Sequence, residues 1–188
     1  MKKRNLILLI LLVLIAVVGC NTDSIETPPD TNVEDEQQVD ENDGIIDTEP
    51  DEVIEEVVLY YVNKEYVMTG NEDLDKIIPV KREVVINDEP IEKVIMAELQ
   101  KAPEDEELDT SLEDLKILDV NKSGEIVNVD ISSEGLSGGS LQESMILNQT
   151  IYTFTELPEV EAVQFLVDGK KAESLMGHFT IEEPLKRE

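Results

Sequence analysis

The sequence has little of what catalysis, metal binding or nucleic-acid binding usually needs. Its 188 residues include one Cys, one His, no Trp and only 15 Lys and Arg, against 44 Asp and Glu. A single Cys can form neither an intrachain disulfide nor a Cys-based zinc site. The formal net charge of −29 repels nucleic acid, and the scarcity of aromatic side chains disfavours stacking on bases. We therefore expect no cofactor and no nucleic-acid partner.

The usual motifs of enzyme active sites are also missing. The one His, His178, lies close to the C-terminus and is not accompanied by a nucleophile-elbow motif. The sequence has no Gly-rich phosphate loop, no His-rich zinc pattern and no redox pair of cysteines. We interpret His178 as incidental and predict no catalytic residue, no metal site and no enzyme activity.

Residues 1–19 are typical of a secretory signal peptide. Residues 2–4 are basic, and the apolar run over residues 6–18 is too short to span a bilayer comfortably. Residues 17–20, VVGC, resemble a bacterial lipobox. The resemblance implies cleavage before Cys20 and a lipid, with acyl chains such as palmitate, on its sulfur. The alternatives are an ordinary signal peptide with an incidental Cys, or an uncleaved anchor.

The segment that follows, residues 20–56, differs sharply in composition from the rest. From residue 21 it has no Lys or Arg, three prolines and fifteen acidic residues, and its apolar residues are isolated. Such a segment cannot bury enough surface to offset the entropy of ordering. We predict a disordered, self-repelling tether that spans about 30–35 Å and begins at the lipid-bearing Cys20. Cation binding by its carboxylates is an alternative, but the carboxylates do not have the regular spacing of metal ligands.

Residues 57–188 have the patterns of one folded domain of mixed α/β (α+β) class. Pro90 favours the start of an amphipathic helix, and Ser140 with Glu143 fits a capping box at the start of a second one. We expect the two helices to pack on one mostly antiparallel sheet. The predicted helices cover residues 90–102 and 140–155, and the predicted strands cover residues 57–62, 66–69, 77–86, 115–120, 125–131 and 160–167.

One turn in this domain can be aligned with a calcium-binding loop. Residues of suitable type stand at the EF-hand spacing, but the flanking residues have strand rather than helix patterns, and the last ligand is Asp instead of Glu. We therefore favour a β-hairpin with a Gly-containing turn and keep calcium as the alternative. The aligned residues are Asp119, Asn121, Ser123, Gly124, Ile126 and Asp130.

The order of motifs across residues 57–185 resembles the GerMN domain family of sporulation and spore germination. The most specific pieces are VDIS (129–132), GGS (138–140), TELPEV (155–160) and FLVDGK (165–170). The resemblance implies a compact domain similar to ring-building motif domains, some of which form oligomers. It transfers no catalytic residue, because none is known for the family.

Taken together, these features predict a non-catalytic lipoprotein on the extracytoplasmic face of the cell membrane. We expect the lipid on Cys20 to hold it there and envelope proteins to be its partners, in sporulation or germination. A homo-oligomer of this protein is a further alternative. The alternative function is a solute-binding lipoprotein of a transport system, although the folded part is small for a ligand cleft between two domains.

Overall fold

The strands and helices follow the predicted order, except that a short helix replaces the strand predicted over residues 66–69 and one short strand is added. The structure is a computed structural model that describes residues 53–187, so the predictions for the signal peptide, for Cys20 and for most of the tether lie outside the described residues. The elements are β1 (Val53–Asn63), α1 (Lys64–Thr69), β2 (Ile77–Ile86), α2 (Ile91–Leu99), β3 (Leu108–Asp109), β4 (Ile117–Ser123), β5 (Ile126–Ile131), α3 (Ser140–Phe154) and β6 (Ala162–Val167).

The strands form two three-stranded sheets where a single sheet was predicted. The strand orders are β2–β1–β3 and β4–β5–β6. Every pair is antiparallel except β5–β6, which is parallel. Parallel neighbours cannot be joined by a tight turn, so α3 forms the crossover of a β5–α3–β6 unit. The predicted α+β class and mostly antiparallel pairing are confirmed.

One apolar core holds both sheets and the two longer helices together. Helix α2 contacts β1, β2 and β4, while α3 contacts β1, β2 and β6. Leu59 of β1, Leu99 of α2, Phe154 of α3 and Phe165 of β6 have no exposed surface. Burying each such side chain contributes about 1.5–3 kcal/mol. The helices therefore bridge the sheets, and the described residues belong to one compact unit.

The strand predicted over residues 66–69 is wrong, because these residues form the end of helix α1. The side chain of Asn63 accepts hydrogen bonds from the N–H groups of Glu65 and Tyr66, which caps the first turn. Gly70 ends the helix with a left-handed backbone at φ 64°. Tyr66 is buried beside Met145 of α3. Capping and this contact outweigh the β propensity of the local sequence.

Several predicted boundaries shift, including the start of β1 and the end of α2. Strand β1 begins at Val53, within the range assigned to the tether. Helix α2 ends at Leu99, well before the proline at 103. The side-chain amide of Gln100 donates to the carbonyls of Leu112 (3.1 Å) and Leu115 (2.7 Å), which turns the chain away from the helix. The segment that follows contains β3, for which no strand is predicted, and β3 pairs with the end of β1.

The predicted capping box at the start of α3 does not form. Gly139 occupies the N-cap position, makes no side-chain hydrogen bond, and leaves Ser140 as the first residue of the helix. Glu143 does not reach back to the cap. Its carboxylate is fully buried and bonds to the C-terminal segment instead. Helix α3 therefore starts without a side-chain cap.

Candidate functional site

The calcium-like loop is the tip of the predicted β4–β5 hairpin. Asp119 and Asp130 face each other across the two strands. Asp119 pairs with Lys93 at 2.9 Å, and this bond holds the pKa of the Asp119 carboxyl below its usual range. Asp130 accepts a hydrogen bond from the N–H of Gly169 at 2.8 Å. Among residues 53–187, no cluster of three His, Cys, Asp or Glu side chains suitable for a metal ion is found.

His178 lies at the surface near the start of α3. Its ring Nε2 is 3.3 Å from the carbonyl oxygen of Gly138, and its backbone N–H donates to Glu143 at 2.9 Å. No hydroxyl or thiol of residues 53–187 hydrogen bonds to the ring. The geometry therefore does not bring a nucleophile and a base together at His178.

Two tyrosines, one glutamate and one arginine form a hydrogen-bonded cluster in which Tyr60 is buried, while the side chains of Arg187 and Glu156 are partly exposed. The Tyr60 hydroxyl donates to Glu156 Oε1 at 2.8 Å and accepts from Arg187 Nη2 at 2.6 Å. Arg187 Nη1 donates to the same Oε1 at 2.5 Å. We call Tyr60, Tyr152, Glu156 and Arg187 the Tyr–Arg surface.

The guanidinium of Arg187 also lies against both aromatic rings. It is 5.1 Å from the ring centroid of Tyr60 and 4.5 Å from that of Tyr152. The two rings meet edge to face with centroids 5.4 Å apart. Both distances to the guanidinium lie within the range of a cation–π contact. Elements distant in sequence, β1, α3 and the C-terminal segment, thus build one rigid aromatic and cationic group.

The pKa values of this cluster follow its hydrogen bonds. The bond from Arg187, followed by that from Tyr60, holds the pKa of Glu156 below its usual range. Burial, together with the bond to Glu156, raises the pKa of Tyr60. At neutral pH the cluster therefore contains a carboxylate, a guanidinium and a neutral phenol.

Two open grooves flank the Tyr–Arg surface along the outer side of α3. One, of about 480 Å³, lies between the cluster and the start of β2 and includes Lys76 and Asn148. The other, of about 390 Å³, continues toward Phe179 and Lys186 and shares Lys76, Asn148 and Tyr152 with the first. Phe179 is 41% exposed although it is a large apolar side chain. Tyrosine and arginine are enriched at the centres of protein interfaces, so this side of α3 is the candidate interaction site.

Sequence reasoning missed this surface. Tyr60 lies in the predicted strand 57–62 and Tyr152 in the predicted helix 140–155, whereas Arg187 lies in a tail without a periodic pattern. Arg187 and Tyr60 are 127 positions apart, so no local spacing links them. The predicted site residue, Cys20, lies outside the described residues. Within residues 53–187, no helix has the length and apolarity to cross a membrane.

The sequence matches a known protein family over most of this domain. The match covers residues 58–173, more than half of the chain, and the family is described as "Germane: Sporulation and spore germination". The chain belongs to the Germane family. No curated protein matches its sequence.

Two solved structures of GerMN domains have a similar fold. The tandem GerMN domains of the sporulation protein GerM from Bacillus subtilis align with 25% identity and a TM-score of 0.55, over 72% of this chain and 46% of that one. The first GerMN domain of the same protein aligns with 13% identity and a TM-score of 0.54, over 71% of this chain and 98% of that one. This chain thus spans about half of the tandem structure, as expected if it has one such domain.

Proposed function

We propose that this protein is a lipid-anchored, non-catalytic binding protein on the extracytoplasmic face of the cell membrane, where it contacts envelope proteins during sporulation or spore germination. Membership of the Germane family supports the process. The lipobox-like residues 17–20 support the anchor, because two or more acyl chains hold a soluble domain stably on a bilayer.

The observation that carries the binding role is the Tyr–Arg surface. Its arginine is fixed by two hydrogen bonds and lies against two rings, so little side-chain entropy remains to be lost when a partner binds. Open grooves with an exposed Phe179 adjoin it. Catalysis would need a poised nucleophile or base, and the cluster supplies neither. No comparison supports the solute-binding alternative.

The anchor is tested by replacing Cys20 with Ser in the full chain. We expect wild-type protein in the membrane fraction, labelled by a fatty-acid analogue, and the Cys20→Ser variant unlabelled. A variant that stays equally labelled and equally membrane-bound would contradict the anchor.

The binding role is tested by photo-crosslinking in sporulating cells from the position of Lys186, beside the Tyr–Arg surface. The matched control is the position of Lys116, because the two side chains are 65% and 60% exposed and each pairs with one glutamate. Discrete crosslinked proteins from Lys186 and not from Lys116 would support the proposal. A co-purifying small molecule, with no protein crosslinked from either position, would favour solute binding instead.

A further inference from the structure

Strand β1 has a partner along its whole length on one side only. On that side it pairs with β2 from Val53 to Val62. On the other side it pairs with β3 only at Val62 and Asn63. Among residues 53–187, the first half of β1 therefore has no neighbouring strand at this second edge.

The direction of the backbone groups follows from Pro79 of β2, which faces Tyr60. Proline has no N–H to give to a ladder, so this is a non-hydrogen-bonded pair, and the N–H of Tyr60 points away from β2. It donates instead to Thr153 Oγ1 of α3 at 2.9 Å. By the two-residue alternation of a strand, the N–H and C=O groups of Ile54, Glu56 and Val58 point the same way. No backbone hydrogen bond within residues 53–187 reaches them.

A groove of about 760 Å³ lies along this open stretch of edge. Its apolar lining comes from Val57, Ile95, Leu157 and others, and the loop after α3 forms its far wall. The groove thus offers space for an added strand beside residues 54–58, with apolar surface for alternate side chains of that strand.

The charges around the groove define the chemistry of its occupant. Four glutamates line it, Glu55, Glu56, Glu156 and Glu159, against the single cation Lys122. Glu56 and Glu156 have ion-pair partners outside the groove, and Glu159 pairs with Lys122 at 3.9 Å, whereas no ion pair of Glu55 is found among residues 53–187. The groove therefore keeps an excess of negative charge, centred on Glu55, and a segment that carries Lys or Arg complements it.

Two other candidates for the occupant, the chain's own N-terminal segment and a second copy of the protein, do not fit this charge. The chain's own residues 21–52 have no Lys or Arg, so the groove would repel them. In a second copy paired antiparallel about the centre of this edge, Glu56 would face Glu56, and like charges directly opposite each other are destabilising. The outer edge of β2 is a poorer site for an added strand. The backbone polar groups that point away from β1 there belong to Pro79, Lys81 and Glu83, and proline and charged residues disfavour strand pairing at an edge.

We propose that the open edge of β1 at residues 54–58 accepts an extended basic segment of a partner protein as an added strand. The inference rests on the proposed protein-binding role and specifies a second surface and the class of segment that it binds.

The proposal is tested with the full chain in detergent and a labelled peptide in which Val alternates with Lys. We expect this peptide to bind and the same peptide with Glu in place of Lys not to bind. Ile54→Pro removes one outward N–H of β1 without breaking the ladder to β2, and we expect the Kd to rise about tenfold. Val85→Pro is the matched control, because Val85 faces Ile54 and directs its N–H to the outer edge of β2.

A second measurement leaves the protein unchanged. Methylation of alternate peptide nitrogens should abolish binding, and the amides of Ile54, Glu56 and Val58 should gain protection from hydrogen exchange only with the unmethylated peptide. Equal binding of the methylated peptide, equal binding by Ile54→Pro, or no binding of the basic peptide would each overturn the proposal. If it fails while crosslinks from Lys186 persist, the binding role stands and this second surface alone is rejected.

Discussion

Glu143 of helix α3 accepts a hydrogen bond from the backbone N–H of Leu175 at 2.9 Å, although the two residues belong to distant parts of the chain. The same carboxylate accepts from the N–H groups of Met176 (3.0 Å) and His178 (2.9 Å). It is fully buried, and Leu175 is buried with it. The Glu143 side chain thus holds residues 175–178 against helix α3. Water could replace its three hydrogen bonds only if the core opened.

Replacement of Glu143 with Gln should lower the free energy of unfolding by about 2–3 kcal/mol. The side-chain NH₂ of Gln would face backbone N–H groups that are also donors, and the hydrogen bonds that remain would no longer be made to a charged carboxylate. Denaturant titration measures this loss, and hydrogen exchange should quicken at residues 175–178. The exposed Glu125→Gln is the control and should change stability by less than about 0.5 kcal/mol. Equal effects of the two substitutions would contradict the role given to Glu143.

The same residue shows what the sequence could and could not predict. Class, element order and the β4–β5 hairpin follow from periodicity and turn residues, which act over a few positions. The spacing of Ser140 and Glu143 fits a capping box equally well, but the three distant N–H donors near Leu175 bind the carboxylate instead. No pattern within α3 contains that information.

The errors in α1 and in the candidate site have the same physical cause. Tyr66 belongs to a sequence with β propensity, and a cap at Asn63 with a contact to Met145 makes it helical. The Tyr–Arg surface depends on the contact between Arg187 and Tyr60, which are 127 positions apart in the sequence. Tertiary contacts of this kind decide the site, whereas local patterns decide the elements.

Arg187→Lys should weaken the Tyr–Arg surface although the charge is kept. A single ammonium cannot reproduce two forked hydrogen bonds and a planar contact with both rings. We expect a loss of about 1 kcal/mol in unfolding free energy and a rise in the pKa of Glu156, measured by carboxyl NMR titration. The neighbouring Lys186→Arg is the control and should change neither quantity. An unchanged Glu156 pKa in Arg187→Lys would show that the guanidinium does not hold this carboxylate.

The pH dependence of stability should contain a contribution from Glu156. Its pKa is lowered in the folded protein by the bonds from Arg187 and Tyr60, whereas in the unfolded chain it titrates near its ordinary value of about 4.3. The stabilisation is therefore present above that pH and is lost as the pH falls through the lowered folded pKa. Unfolding free energies measured between neutral and acidic pH should fall less steeply for Glu156→Gln than for wild type. A wild-type slope in Glu156→Gln would refute the assignment.

Calcium binding at the β4–β5 hairpin can be tested directly. The carboxylate of Asp119 is paired with Lys93, and that of Asp130 is bonded to Gly169, so a cation would have to displace both partners. We expect no heat of binding and no amide shift at residues 119–130 when calcium is added. A micromolar isotherm that Asp119→Ala abolishes would overturn the hairpin interpretation in favour of a calcium site.

The turn of this hairpin depends on Gly124, whose φ of +62° lies in the left-handed region. A Cβ added there would meet no atom within 4 Å, so the cost of a side chain is conformational and not steric crowding by neighbours. Gly124→Ala should therefore lower the unfolding free energy by about 1–2 kcal/mol. Gly124→Asn should lose less, because Asn tolerates this backbone conformation better than Ala does. Thermal or denaturant unfolding of the two variants measures the difference, and an Ala variant as stable as wild type would show that the turn adopts another conformation in solution.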